Sequence, residues 1–333
     1  MRTEPLFEEY RNNVLECIHY GTVCVVDKKG IKASVGDTDW LCYYRSSSKA
    51  IQALPVIKRR LDVKYGLTKE EAAIFSGSHW GDPEHVHILD SILEKTGLRE
   101  EQMIMLPTYP SRMAERDRLL RSNLPPRKVY HNCAGKHLGM MLLARDLGEP
   151  VENYWMKNTV TQHVILETIS KVTDVPQGDI KVGVDGCGVP VYAVPFHAIA
   201  SSYLKLLTPS LIADDNLAEA VQRNISMLHA YPHMVAGKDI VCSILTADDD
   251  LIGKSGALGI YTMAIKSMGV GIVCKIMDGS HDEFAQCAIH VCKLLGYDSD
   301  TIKEVEKFYP LTIINDNREV VGDHRSVFSF QTI

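Results

Sequence analysis

Strand-like and helix-like patterning are segregated along this chain, and the segregation limits what it can fold into. Near one end, Thr22-Val23-Cys24-Val25-Val26 and Ile31-Lys32-Ala33-Ser34-Val35 flank the turn sequence Asp27-Lys28-Lys29-Gly30, which reads as a hairpin. Strand-like runs return leading into Val184 and at 191–194, 240–245, 257–265, 270–277 and 311–314. Apolar residues at helical spacing predict helices over 5–19, 46–65, 84–96, 112–122, 138–147 and 155–173, and again over 196–206, 216–230, 283–295 and 300–308. Thr68, followed by Lys69-Glu70-Glu71, caps a further short helix. A sheet drawn from both termini around a helical insert satisfies this order. The expected class is therefore α+β with an antiparallel sheet. The chain reads as one unit over 1–333, with a sheet part at about 1–45 and 180–333 and a helical part at about 46–179. No internal repeat or low-complexity linker divides it.

A length of 333 residues is ample for a sizeable core, and a net charge of −6 leaves no electrostatic footprint for nucleic acid. No apolar run is long enough to span a bilayer, so no membrane partner is expected. The polar start Met1-Arg2-Thr3-Glu4-Pro5 lacks the pattern of a secretory signal. Nine cysteines, odd in number and widely spread, then predict reduced thiols and a cytoplasmic location.

The stretch with the most chemistry is Arg45-Ser46-Ser47-Ser48-Lys49, where Ser46 and Lys49 lie three apart as a helix begins. On a helix such residues share a face, so hydroxyl and amine can meet. Serine needs a base to become a nucleophile, and lysine acts as one only where burial or a nearby cation depresses its pKa. The bland alternative is a serine-rich cap beside a solvated lysine. A second serine, Ser78, stands in the small polar loop Phe75-Ser76-Gly77-Ser78-His79-Trp80-Gly81, and Lys254-Ser255-Gly256 precedes an apolar strand. Ser-x-x-Lys, a serine loop and Lys-Ser-Gly, in that order, make the three-part layout of serine β-lactamases and penicillin-binding proteins.

Cys133 and Lys136 sit three apart at the mouth of a helix, and Cys187 lies between Gly186 and Gly188. Thiolate and imidazole are good zinc ligands, and lysine ligates only as the neutral amine. Spacing alone favours two buried free thiols over a metal site. Asp185 and Asp278, each before a glycine, read as substrate carboxylates or turn aspartates. Arg45 reads as a carboxylate clamp or a surface arginine. His85 and His87 point to different helix faces and are not a metal pair, and Asp248-Asp249-Asp250 reads as a solvated loop.

These blocks, with Gln52-Ala53-Leu54-Pro55, His131-Asn132-Cys133-Ala134-Gly135-Lys136-His137, Asp185-Gly186-Cys187-Gly188-Val189-Pro190 and Lys275-Ile276-Met277-Asp278-Gly279, resemble the rhizobial-type L-asparaginases of the asparaginase II family. The resemblance runs from about residue 20 to 295. It implies a serine β-lactamase-like fold, usually a homodimer, that hydrolyses L-asparagine to aspartate and ammonia without an organic cofactor. It implies Ser–Lys pairs of Ser46 with Lys49 and Ser78 with Lys254, and zinc held by Cys133, Lys136 and Cys187. Arg45, His79, His137, Asp185 and Asp278 are the expected substrate contacts, with Asp185 at the position that holds the substrate's amino group. Family members often carry glutamate at the place of Asp82 and an arginine-containing run at 238–242. Those departures bear on substrate preference. The alternatives are another serine amidase, esterase or glutaminase on this fold, and a catalytically silent amino-acid-binding protein. Intact Ser46, Lys49, Ser78 and Lys254 argue against silence.

Overall fold

The computed structural model describes residues 1–281 and 283–332. Two compact units emerge. One holds Met1–Ser47, Val194–Thr208 and the chain from Asp248 onward, and the other holds Ser48–Ala193 and Pro209–Ala247. Residues 180–193 and 209–247, expected with the sheet, thus fold with the helices.

The strands among the described residues are β1 Glu4–Arg11, β2 Val14–Asp27, β3 Gly30–Val35, β4 Leu41–Tyr43, β5 Lys181–Val184, β6 Pro190–Pro195, β7 Leu251–Gly256, β8 Ile260–Ile265, β9 Val270–Ile276, β10 Thr312–Ile314, β11 Val320–Ser326 and β12 Gln331–Thr332. In the first unit the sheet order is β10-β11-β1-β2-β9-β8-β7, with β3 pairing both β2 and β12. The paired strands run antiparallel. Both termini therefore build one sheet, as the sequence order predicts. Every residue of β8 is buried. A strand buried on both sides requires cover on both faces of its sheet, and the helices Phe196–Leu207 and Glu283–Leu295 both pack on β8 and β9.

The expected helix over 5–19 is instead the hairpin β1–β2. Asn12 and Asn13 both take positive φ, 47° and 60°, which is the backbone of a tight hairpin turn and which asparagine tolerates. A register shift between Pro5 and Phe7 lets the consecutive residues Leu6 and Phe7 both reach 0% exposure, and that pair breaks strand alternation. The 240–245 run is also corrected, being the helix Val241–Thr246 rather than a strand. All six of its residues are buried, so periodicity carried no information there. Lys254 to Gly256, expected ahead of a strand, lie within β7.

In the second unit the helix Ala134–Asp146 is buried continuously from Ala134 to Ala144, the pattern of a helix enclosed on all sides. Helices Pro83–Thr96, Val160–Thr173 and Asp215–Ala230 belong to the same unit, as does the β5–β6 hairpin as far as Ala193. The expected long helix after Ser46 breaks into Lys49–Gln52, Leu54–Lys58 and Leu61–Lys64. Pro55 sits in the first turn of the second piece, and Arg60 adopts a left-handed φ of 55° before the third. No helix among the described residues is long and apolar enough to cross a membrane, and none of the nine cysteines is joined in a disulfide among the described residues.

Candidate active site

In the helical unit, burial and hydrogen bonding converge on Lys49. The side chain is 0% exposed. Its Nζ donates to Ser78 Oγ at 2.7 Å and to the carbonyl oxygen of Asn132 at 3.2 Å. Ser78 is held from its backbone, where its N–H donates to the Val235 carbonyl at 2.8 Å. Gly77 makes that approach possible, because a Cβ there would lie 2.0 Å from Met234 O. The backbone next to Lys49 is tied to the serine loop through Asn224, whose Nδ2 donates to Ala50 O and to Ser76 Oγ. The hydrogen bond seen at Lys49 thus reaches a serine 29 residues away, which spacing does not reveal. Asn132 contributes a main-chain carbonyl and so left no side-chain signal, although its block was singled out.

Cys133, Lys136 and Cys187 come together close by in the same unit. Lys136 Nζ donates to Cys187 Sγ at 3.1 Å and lies 3.8 Å from Asp185 Oδ2. The hydrogen bond from Cys187, against burial, holds the Cys133 thiol well below its usual range, and Lys49 and Lys136 add to this. Sharing that bond and being buried push Cys187 up. Burial opposes the charge on Lys136, but Cys133, Cys187 and Asp185 outweigh it and raise the amine. Sulfur and nitrogen ligands of a tetrahedral zinc lie roughly 3.5 Å apart, given bonds of about 2.3 and 2.0 Å. The 3.1 Å from Lys136 Nζ to Cys187 Sγ, with Cys133 hydrogen-bonded to the same sulfur, is compatible with such an ion once Lys136 gives up its proton.

His79 and His137 are almost completely buried. His79 Nδ1 accepts from Gly81 N–H, and His137 Nδ1 bonds the Tyr154 hydroxyl. In both rings Nε2 is buried without a hydrogen-bond partner among the described residues. Burial holds both imidazoles well below their usual range, hence neutral. Tyr154, which sequence reading passed over, is the residue that orients His137.

Ser46, Arg45 and Lys254 belong to the sheet unit. Ser46 lies on the 3-10 turn Arg45–Ser48, and Arg45 opens that turn with a left-handed φ of 51°, an unusual backbone for arginine. The corner is tied down by Ser47 Oγ to Tyr44 O at 2.7 Å, Tyr203 Oη to Ser47 O at 2.7 Å and Tyr44 Oη to Ser202 Oγ at 2.8 Å. β7 passes directly beside it. A Cβ on Gly256 would lie 2.7 Å from Tyr44 O and 3.1 Å from Arg45 Cβ, so only glycine lets the Lys254-Ser255-Gly256 strand run so near. Lys254 itself is 3% exposed and donates to Ser255 O. Asp278 is in this unit too, where its Oδ2 accepts from His19 Nδ1 and its Oδ1 from Ser280 N–H.

Against this geometry, the family model for L-asparaginase II matches residues 7–326. The chain belongs to the L-asparaginase II family. A search of curated protein sequences finds no match. Among solved structures it is similar to a class C β-lactamase from Rhodobacter sphaeroides, at 14% identity over 83% of this chain and 95% of the other, with a TM-score of 0.45. It is also similar to a β-lactamase from Mycobacterium bovis, at 13% identity over 87% and 95%, with a TM-score of 0.40. A probable glutaminase from Bacillus subtilis, complexed with 6-diazo-5-oxo-L-norleucine, matches at 14% identity over 88% and 85%, with a TM-score of 0.33.

Proposed function

We propose that this chain hydrolyses the side-chain amide of L-asparagine to aspartate and ammonia through a serine acyl-enzyme. The observation that carries the reading is the fully buried Lys49 hydrogen-bonded to Ser78, in a chain of the L-asparaginase II family. Ser46, three residues before Lys49, attacks the amide carbon, and the neutral Lys49 amine takes its proton. Burial favours the uncharged form that this step needs. The departing nitrogen must receive a proton before it leaves. Ser78, bonded to the same amine, supplies the route from Lys49 to the leaving group. Water then cleaves the β-aspartyl ester by the reverse relay. Lys254, buried on β7, serves as the second basic group of the site, and Asp185 takes the substrate's ammonium. Cys133, Lys136 and Cys187 would hold a zinc ion, whose positive charge would help seat the substrate.

Ammonia release from asparagine and glutamine, run beside acid release from a simple ester and amino-acid release from dipeptides, tests this directly. The reading expects asparagine to be turned over with the highest kcat/KM. Glutamine ahead of asparagine would make the protein a glutaminase. Binding of asparagine with no hydrolysis of any substrate in the panel would make it a silent binding protein.

A further inference from the structure

The sheet unit carries a second concentration of ligating side chains, and the sheet register assembles it. Glu9 on β1 lies opposite Cys17 on β2 and opposite His324 on β11. His19, two residues on from Cys17, shares its face of the sheet. The first turn of the helix Glu283–Leu295 adds Glu283. The chemistry centres on His19, whose side chain is 8% exposed, beside Glu283 at 2%.

Both ring nitrogens of His19 face carboxylates. Nδ1 lies 2.6 Å from Asp278 Oδ2, while Nε2 lies 2.9 Å from Glu9 Oε1 and 3.4 Å from Glu283 Oε1. A neutral imidazole donates from one nitrogen only. With that proton toward Asp278, the Nε2 lone pair would point at two carboxylate oxygens. With His19 charged, its one remaining N–H would still serve two acceptors. On the far side of Glu9, His324 Nδ1 is buried, makes no hydrogen bond among the described residues and lies 3.9 Å from Glu9 Oε1. Ser280 supplies a hydroxyl to Glu283 and an N–H to Asp278, which leaves His324 Nδ1 as the buried atom of this cluster with no hydrogen-bond partner among the described residues.

From this geometry we infer a structural zinc site formed by Glu9, His19 Nε2, Glu283 and His324 Nδ1, with Asp278 as the carboxylate that orients His19. Nitrogen and oxygen ligands of tetrahedral zinc, at about 2.0–2.1 Å, lie roughly 3.3–3.4 Å from one another. For three of the six ligand pairs the separations are 2.9, 3.4 and 3.9 Å, around that value. Ligand atoms of Glu9, Glu283 and His324 lie within 4.8 Å of one another, while His19 joins them through Glu9. An imidazole that gives one nitrogen to the metal and the other N–H to a carboxylate is the usual way a zinc-bound histidine is oriented. Four protein ligands close the coordination sphere, which suits a structural ion that pins β1, β2, β11 and the 283–295 helix together, not a catalytic one. The site is separate in the sequence from Cys133, Lys136 and Cys187 and shares no ligand with them.

The test is a zinc titration of metal-stripped protein carrying Cys133→Ser and Cys187→Ser, with folding checked by circular dichroism. The site predicts one equivalent of zinc per chain and a rise in Tm on binding. Adding His324→Ala should weaken that binding by at least 10-fold, and Asp278→Asn by about 10–100-fold, the range for loss of an orienting carboxylate. In the otherwise wild-type background, His324→Ala should lower bound zinc by one equivalent, which gives a readout even if the double serine variant does not fold. A folded double serine variant that binds no zinc, or bound zinc unchanged by His324→Ala in both backgrounds, would overturn the proposal.

Discussion

Two buried lysines of the helical unit, Lys49 and Lys136, resemble each other in exposure and differ in company. Lys49 is 0% exposed and donates to a hydroxyl and a main-chain carbonyl, while Lys136 is 3% exposed and faces two thiols and the Asp185 carboxylate. Burial penalises charge at both positions; at Lys136 the groups Cys133, Cys187 and Asp185 outweigh that penalty, whereas Lys49 makes its hydrogen bonds to neutral oxygens. The lesson is that burial alone does not make a lysine a base. The neighbours decide whether it moves a proton or holds a charge or metal.

The largest expected effect lies on the Lys49 side of that contrast. Lys49→Met should lower kcat for asparagine by about 10²–10⁴-fold, the usual loss when a general base is removed. The same requirement for a neutral amine makes activity rise with pH through neutrality. A profile with its optimum below about pH 6, where a lysine base is protonated, would break the assignment. Ser78→Ala should follow, with kcat reduced by roughly 10²-fold if the hydroxyl relays the proton to ammonia. Full activity in Ser78→Ala would leave the 2.7 Å hydrogen bond without a catalytic purpose.

Stability should rank the two lysines the other way. In metal-free protein, Lys136→Met removes the partner of buried acidic groups and should cost about 3–5 kcal/mol in urea unfolding. Lys49→Met loses hydrogen bonds to neutral oxygens and should cost about 1–3 kcal/mol. Equal losses would remove the distinction drawn between them.

The smallest effect serves as a reference away from both lysines. Glu71 is penalised by burial, but Lys95, Ser91 and the Thr68 N–H outweigh this and hold its carboxyl below the usual value. A depressed carboxyl contributes stability above its unfolded pKa and loses it as pH falls through the folded one. Glu71→Gln should therefore lower Tm by a few degrees at pH 7, and the gap to the unmodified protein should close on acidification below about pH 4. A gap independent of pH would assign the loss to the capping box at Thr68 alone.

The legibility of this chain follows from the range of each interaction. The sheet built from both termini was readable because strand-like runs cluster there, and the helices over 84–96, 216–230, 283–295 and 300–308 were readable from periodicity. The β1–β2 hairpin was not, because the bulge near Leu6 and Phe7 places apolar residues at spacings that imitate a helix. Ser46, Lys49, Ser78 and Lys254 stood out as residue types in order. The Lys49–Ser78 bond did not, since a contact across 29 residues depends on Gly77 packing against Met234. The His19 cluster was invisible for the same reason. Its members come from β1, β2, β11 and a helix, and only sheet register brings them together.

The account rests on a covalent serine intermediate, and one measurement addresses it most directly. Enzyme turning over asparagine is quenched in acid, digested and analysed by mass spectrometry for an aspartyl ester. The account predicts the ester on the peptide that carries Ser46, and its absence from the Ser46→Ala protein. An ester on Ser78, or steady ammonia release with no ester on any serine, would contradict it.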